Sequence, residues 1–381
     1  MASERDRILI VTRNMPPLVG GMERLNWHIA HELSQCADVR LVAPAGAAAM
    51  GPASVAVTEV PLRPLRRFIL ASAWHAIRTA QAWKPQIVFA GSGLTAPAAW
   101  AAARICGARA CIYLHGLDAA VKHPLYKAAW HPAIRNMDTV IANSRATAEL
   151  ASAMGVSPTK LRILHPGVHI PEESQPATAL EAFRQRHGLG NSRVLLSIGR
   201  LTARKGLREF VQHALPSIVR EAPDTILVVI GDVPADALHA SVQSRDSIQS
   251  VANSAGVGQH LRFLGTITDS AELACAYECA TLHVFPVRSL PHDPEGFGMV
   301  AIEAGAHGIP TVAFATGGVV DAVAEGRSGH LVIPDNYEAF ARATLNLLND
   351  NPTSWRPRTR TFAQGFGWSI FGQELRQILR A

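Results

Sequence analysis

The chain is 381 residues long, which exceeds one ordinary core and points to two domains of roughly 150–200 residues each. A composition of 48% hydrophobic and 17% charged residues excludes a disordered chain and fits a globular α/β enzyme. The net charge of +6 is uneven, with 18 Lys+Arg against 9 Asp+Glu through residue 171 and 18 against 21 beyond it.

The charged segment Met1–Arg7 runs straight into the apolar residues Ile8–Val11, which reads as a first strand rather than a signal peptide. Further strands are expected at Val39–Ala43, Ile87–Ala90, Cys111–Leu114 and Thr139–Ala142, with the first spanning Ile8–Thr12. Between them, apolar residues recur three or four apart, as at Leu25, Ile29 and Leu33. After Pro64, Leu65–Arg78 reads as one helix, continuing towards Lys84, with Leu65, Ile69, Ala73, Ala76 and Ala80 on one face. The apolar stretch Leu94–Leu114 is interrupted by Arg104 and Arg109, short of the ~20 apolar residues a bilayer span needs. Residues Gly155–Pro176, rich in Pro, Gly and Ser, read as a connector.

A second alternating set follows at Val194–Ile198, Ile226–Ile230, Leu261–Leu264, Leu282–Phe285, Thr311–Phe314 and Leu331–Ile333. Helical segments near 207–220, 270–279, 299–306 and 337–348 separate these strands. The alternation predicts an α/β chain of two doubly wound, Rossmann-like domains facing each other across a cleft, with ligands at the carboxyl ends of strands. No repeat of 20–50 residues suggests a solenoid. The cysteines Cys36, Cys106, Cys111, Cys275 and Cys279 are odd in number and form no Cys-x-x-Cys, which favours a reducing cytoplasm over a disulfide scaffold.

Three segments carry chemistry. Gly20-Gly21 opens a helix after the first strand, where backbone N–H groups can close over phosphate, although a tight turn uses the same pair. Arg200 and Lys205 stand after the first strand of the second domain and directly before a helix. Cations there make sense around an anion, and a solvated basic loop is the alternative. Glu295-Gly296-Phe297-Gly298-Met299-Val300 leads to Glu303, so two carboxylates frame a glycine turn that enters a helix. Ionised carboxylates accept paired sugar hydroxyls, and the glycines let backbone approach a ligand. An acidic first helical turn would look the same.

These segments resemble the retaining family-4 glycosyltransferases of GT-B fold. Also in agreement are Asn143-Ser144, His165-Pro166-Gly167, Gly308-Ile309-Pro310, Gly317-Gly318 and Gly326-Arg327-Ser328-Gly329, so the resemblance covers essentially the whole chain. It implies an amino-terminal acceptor domain over 1–170, completed by a terminal helix at 366–381, and a nucleotide-sugar donor domain over 171–365. By the same resemblance, Arg200 and Lys205 clamp the diphosphate, Glu303 holds the ribose and Glu295 holds the sugar with backbone from Gly296 to Val300. Gly20 and Gly21 close over the phosphates, and Ile267 lies where backbone contacts the base. His115 meets the donor sugar near the reacting carbon, and Asp118 is placed to meet the acceptor. Before Glu295 this chain departs from the family pattern with the longer loop Pro286–Pro294, in which Arg288 and His292 are either substrate determinants or plain surface.

The implied function is transfer of a hexose-type sugar from a nucleoside diphosphate to a glycan, lipid-linked or small-molecule acceptor, in cell-surface polysaccharide or glycolipid synthesis. The alternatives are a catalytically idle sugar-nucleotide-binding protein or a non-transferring enzyme such as an epimerase. No cofactor or metal is expected, because the chain has no Asp-x-Asp. The basic first half and the Leu65–Arg78 helix suit an anionic membrane surface, which implies a cytoplasmic protein working peripherally at the membrane. With 6% aromatic residues and no stacking module, nucleic acid is not expected as a partner.

Overall fold

The computed structural model describes residues 5–121, 123–233, 241–291, 293–350 and 352–380. The chain forms two compact units, Met1–Gly167 with Trp368–Ala381, and Val168–Gly367.

The first unit is a seven-stranded sheet of β1 (Arg7–Val11), β2 (Asp38–Pro44), β3 (Ala56–Val60), β4 (Ile87–Ala90), β5 (Arg109–Leu114), β6 (Thr139–Ala142) and β7 (Leu161–Ile163), ordered β3-β2-β1-β4-β5-β6-β7. Every pairing is parallel. Successive strand residues point to opposite faces, so Leu9 and Val11 pack with Phe68, Ala76 and Ala80, while Ile8 and Ile10 pack with Leu25, Ile29 and Leu33. Both faces are apolar because helices cover both, as a parallel sheet requires. The terminal helix Trp368–Arg380 lays Phe371, Leu375 and Leu379 on the second face, an i, i+4, i+8 stripe. Trp368 stacks on His28 at 3.7 Å between ring centroids, and Arg109 donates to the Leu379 carbonyl at 2.8 Å.

The second unit repeats the plan with six strands: β8 (Arg193–Ile198), β9 (Thr225–Ile230), β10 (Leu261–Gly265), β11 (Leu282–Phe285), β12 (Thr311–Phe314) and β13 (Gly329–Val332), ordered β10-β9-β8-β11-β12-β13. All six residues of β9 are buried, as expected of a strand covered on both faces. In each sheet the strand order reverses once, between β1 and β4 and between β8 and β11. Loops leaving the two neighbouring strands diverge there, opening a crevice at their carboxyl ends.

Several expectations are corrected. The stretch 155–176 is not connector throughout, because Leu161–Ile163 pairs with β6 as an edge strand. The edge strand β3 was also not foreseen. The helix expected over 207–220 is two helices, Leu207–His213 and Leu215–Glu221, the second with Pro216 in its first turn. The helix after Pro64 spans Leu65–Trp83, but its buried stripe is Phe68, Ser72, Ala76 and Ala80 rather than the one through Leu65. No described helix is long and apolar enough to cross a membrane.

Candidate functional site

In the second unit the crevice between β8 and β11 collects charge. After β8 the chain passes through Gly199 and Arg200 to a single tight turn, Ala203–Lys205, and then into the helix Leu207–His213. Backbone bonds pin this loop, with Leu201 N donating to Asp232 O at 3.0 Å and Ala203 N to Ser241 O at 2.8 Å. Arg200 and Lys205 line one recess with Gly199, Leu201, Phe285 and Pro286. Arg200 is exposed, whereas Lys205 is mostly enclosed, its ammonium 4.7 Å from the centre of the Phe285 ring.

Lys205 Nζ donates to Glu295 Oε2 at 2.8 Å, and Arg204 Nη1 reaches the same oxygen. Arg204 Nε lies 3.1 Å from Asp293 Oδ1. Burial pushes the Glu295 carboxyl up, but Arg204, Lys205 and Arg200 together overcome that effect and hold it at about 2. For Lys205, burial wins: its pKa lies below the usual lysine range despite Glu295, and the neighbouring arginines add to the effect. On β11, burial and then the charge of Lys205 pull the His283 imidazole down to about 3, so it is neutral at pH 7. Arg204, Asp293 and His283 were missed by sequence reasoning. Arg204 adjoins a chosen residue, but nothing local reveals that it points at a carboxylate 91 residues away.

Glu295 leads through Gly296 and Phe297 to Gly298, which caps the helix Met299–Ala306 at φ 96°, a left-handed value that favours glycine. Gly318 N donates to Glu295 O at 2.9 Å, and a methyl group on Gly318 would overlap the Gly296 carbonyl oxygen, so this contact needs glycine. Phe297 is 2% exposed and packs near Phe366, while Met299 and Val300 are half-buried. Glu303 sits on the helix and accepts the Tyr277 hydroxyl at 2.9 Å. Ile267 is half-buried in the loop after β10. Arg288 is taken up structurally, pairing with Glu209 at 2.9 Å and lying 3.9 Å from Asp335, while His292 lies outside the described residues.

In the first unit, His115 follows β5 and is 8% exposed. Its Nε2 is 2.8 Å from the Gly91 carbonyl oxygen, which can only accept, so the proton is on Nε2. Asp118 Oδ2 accepts the His115 backbone N–H at 3.1 Å, which brings these two sequence candidates together. Gly20 caps the helix Gly21–Ser34, with the Glu23 carboxylate lying against it and accepting from Asn14 at 2.8 Å. Among the described residues, no three His, Cys, Asp or Glu side chains are grouped as metal ligands.

Residues 180–363 match the family profile for Glycosyl transferases group 1, and residues 19–171 match that for Glycosyltransferase Family 4. A GDP-mannose-dependent alpha-(1-6)-phosphatidylinositol monomannoside mannosyltransferase of Mycolicibacterium smegmatis is 32% identical over 230 residues, 60% of this chain and 57% of the relative. A D-inositol 3-phosphate glycosyltransferase of Streptomyces scabiei is 29% identical over 252 residues, 65% of this chain and 55% of the relative. The chain thus spans somewhat over half the length of these relatives. Among solved structures, Anabaena Alr3699/HepE in complex with UDP and glucose superposes with a TM-score of 0.80 at 19% identity, covering 98% of this chain and 99% of that one. Sucrose-phosphate synthase from Thermosynechococcus elongatus superposes at 0.78 with 20% identity, covering 99% and 98%. At these identities the structural likeness speaks for fold alone, and it agrees with two parallel sheets that each reverse their strand order once. The structural likeness gives the GT-B fold, and the two family profiles, which together cover most of the chain, show that it belongs to the family-4 glycosyltransferases.

Proposed function

We propose that the chain is a retaining, metal-independent hexosyltransferase that uses a nucleoside-diphosphate sugar. The observation that carries this reading is the shared recess of Arg200 and Lys205 at the β8/β11 crevice, beside Glu295. In the proposed reaction the bond between the anomeric carbon and the leaving phosphate oxygen breaks, and the acceptor oxygen bonds to that carbon on the same face. The departing phosphate takes the acceptor proton, so no separate carboxylate base is required. Arg200 and Lys205 stabilise charge as it develops on the diphosphate, the interaction that accelerates such a step most. Glu295 and the Gly296–Val300 backbone hold the sugar, Glu303 the ribose, and the Ile267 loop the base. Gly20 and Gly21 close over the phosphates. His115 meets the sugar near the reacting carbon, and Asp118 meets the acceptor.

The relatives' names supply donor and acceptor candidates: GDP-mannose, and acceptors that carry an inositol phosphate. A phosphorylated or lipid-linked acceptor also suits the basic first half of the chain. The helix Leu65–Trp83 supports work at a membrane. It exposes Leu70 (71%) and Trp74 (52%) beside Arg66, Arg67 and Arg78, with the Arg78 guanidinium 4.9 Å from the centre of the Trp74 ring. Cations beside exposed apolar side chains are what an interfacial helix uses. The five free cysteines accord with a reducing compartment, so we place the enzyme at the cytoplasmic face.

A panel of UDP-, GDP-, ADP- and dTDP-sugars screened by thermal shift identifies the donor, since a ligand at 100 times its Kd adds about 2.7 kcal/mol to stability. NMR of the first product formed, in excess EDTA, then tests the reaction. An inverted product, or activity that EDTA abolishes, refutes the proposal.

A further inference from the structure

A buried polar chain stands behind Glu303. Tyr277, 2% exposed on the helix Ser270–Cys279, donates its hydroxyl to Glu303 Oε2 at 2.9 Å. The Tyr277 ring lies flat on the His307 imidazole, with centroids 5.0 Å apart and planes 7° apart. His307 Nδ1 is 3.2 Å from Glu278 Oε1, and Glu278 Oε2 accepts the Gln175 backbone N–H at 2.8 Å. Each member is thus held by the next, from the start of the second unit to the helix that carries Glu303.

A glutamate side chain has three rotatable bonds, and holding one carboxylate in a single orientation for a ligand costs conformational entropy. A fixed phenol bonded to one oxygen meets that cost before the ligand arrives. We infer that Tyr277 is a positioning residue that sets Glu303 to receive both ribose hydroxyls, making the site selective for ribonucleotides over 2′-deoxy- and 3′-deoxyribonucleotides. The inference rests on the assignment of Glu303 to the ribose under Proposed function. A diol bonds the carboxylate strongly only if both acceptor directions are in place, so loosening Glu303 weakens the ribonucleotide more than either deoxy form.

The test is calorimetric titration of UDP and GDP, each beside its 2′-deoxy and 3′-deoxy counterparts, into the 381-residue chain as wild type, Tyr277→Phe and Glu303→Gln. The wild type should prefer the ribonucleotide by about ten-fold, the scale of a hydrogen bond to a charged group. Glu303→Gln should bring the ratio close to one. Tyr277→Phe keeps the ring on His307 and should cut the ratio several-fold, raising KM for the donor far more than it lowers kcat. A wild-type ratio in Tyr277→Phe, with the ratio lost in Glu303→Gln, overturns the positioning role and leaves the ribose assignment standing. A wild-type ratio in Glu303→Gln, or no binding of any nucleoside diphosphate of the donor panel, overturns the assignment itself. If Tyr277→Phe does not fold, His307→Asn, which removes the ring beneath Tyr277, gives the same readout. An unchanged ratio there overturns the inference.

Discussion

Glu295→Gln separates the electrostatic work of the site from its shape. Glutamine keeps the side chain's volume and an acceptor oxygen but removes the charge that faces Arg204 and Lys205. Those side chains are only 10% and 16% exposed, and Glu295 is 11% exposed, so little water compensates. Holding the carboxyl at about 2 instead of its ordinary 4.5 corresponds to roughly 3 kcal/mol of stability at neutral pH. Breaking a buried ion pair from one side costs about 3–5 kcal/mol, which agrees. For a unit of this size, each kcal/mol moves Tm by about 2–4 °C, so the variant should melt roughly 6–12 °C lower at pH 7. Because the folded pKa is depressed, this contribution is present above the unfolded value of 4.5 and is lost as pH falls towards 2. The gap between wild type and variant should therefore close on acidification. Saturating UDP or GDP should also narrow it, since the diphosphate supplies the missing negative charge to Arg200, Arg204 and Lys205. Differential scanning calorimetry from pH 3 to 7, with and without nucleotide, measures all three effects. A variant that melts within about 2 °C of wild type at pH 7, or a gap that persists unchanged at pH 3, refutes the electrostatic account.

Four further outcomes can be measured. Arg200→Ala should reduce turnover about 10²-fold with little change in Tm, because Arg200 is exposed. Lys205→Ala should reduce turnover as much but also lower Tm, because it leaves Glu295 short of a partner; steady-state kinetics beside calorimetry distinguishes the two. Co-sedimentation should show binding to anionic vesicles that weakens with salt and falls when Arg66, Arg67 and Arg78 are replaced together, whereas indifference of the wild type at low salt points to a soluble acceptor. Phe371→Ala should destabilise the first unit by about 3–5 kcal/mol, because it empties a 2%-exposed position that anchors the terminal helix, and denaturant unfolding would detect it.

Central strands were legible because a strand covered on both faces is a nearly continuous apolar run. Ile87–Ala90, Thr139–Ala142, Leu282–Phe285 and Thr311–Phe314 match to the residue. The edge strands Ala56–Val60 and Leu161–Ile163 were missed for the converse reason: neither has a fully buried run, and Ile163 is 42% exposed. In the helix after Pro64, periodicity established that an apolar side exists, but several adjacent stripes qualified. Only packing against Leu9, Val11 and Val88 selected the one through Phe68.

The site divides in the same way. Arg200, Lys205, Glu295 and Glu303 were singled out because their order and spacing resemble a known family; each local pattern alone also fits a solvated basic loop or an acidic helix start. Their pairing could not be read, since Glu295 meets Arg204 and Lys205 only after β8 and β11 become neighbours through the strand-order reversal. Tyr277 likewise looks like an ordinary core aromatic until tertiary packing brings its hydroxyl to Glu303, 26 residues along the chain. Local sequence determines which elements form and which side chains carry charge. The distances between those charges depend on contacts far apart in sequence, and these were decided by the folded sheet.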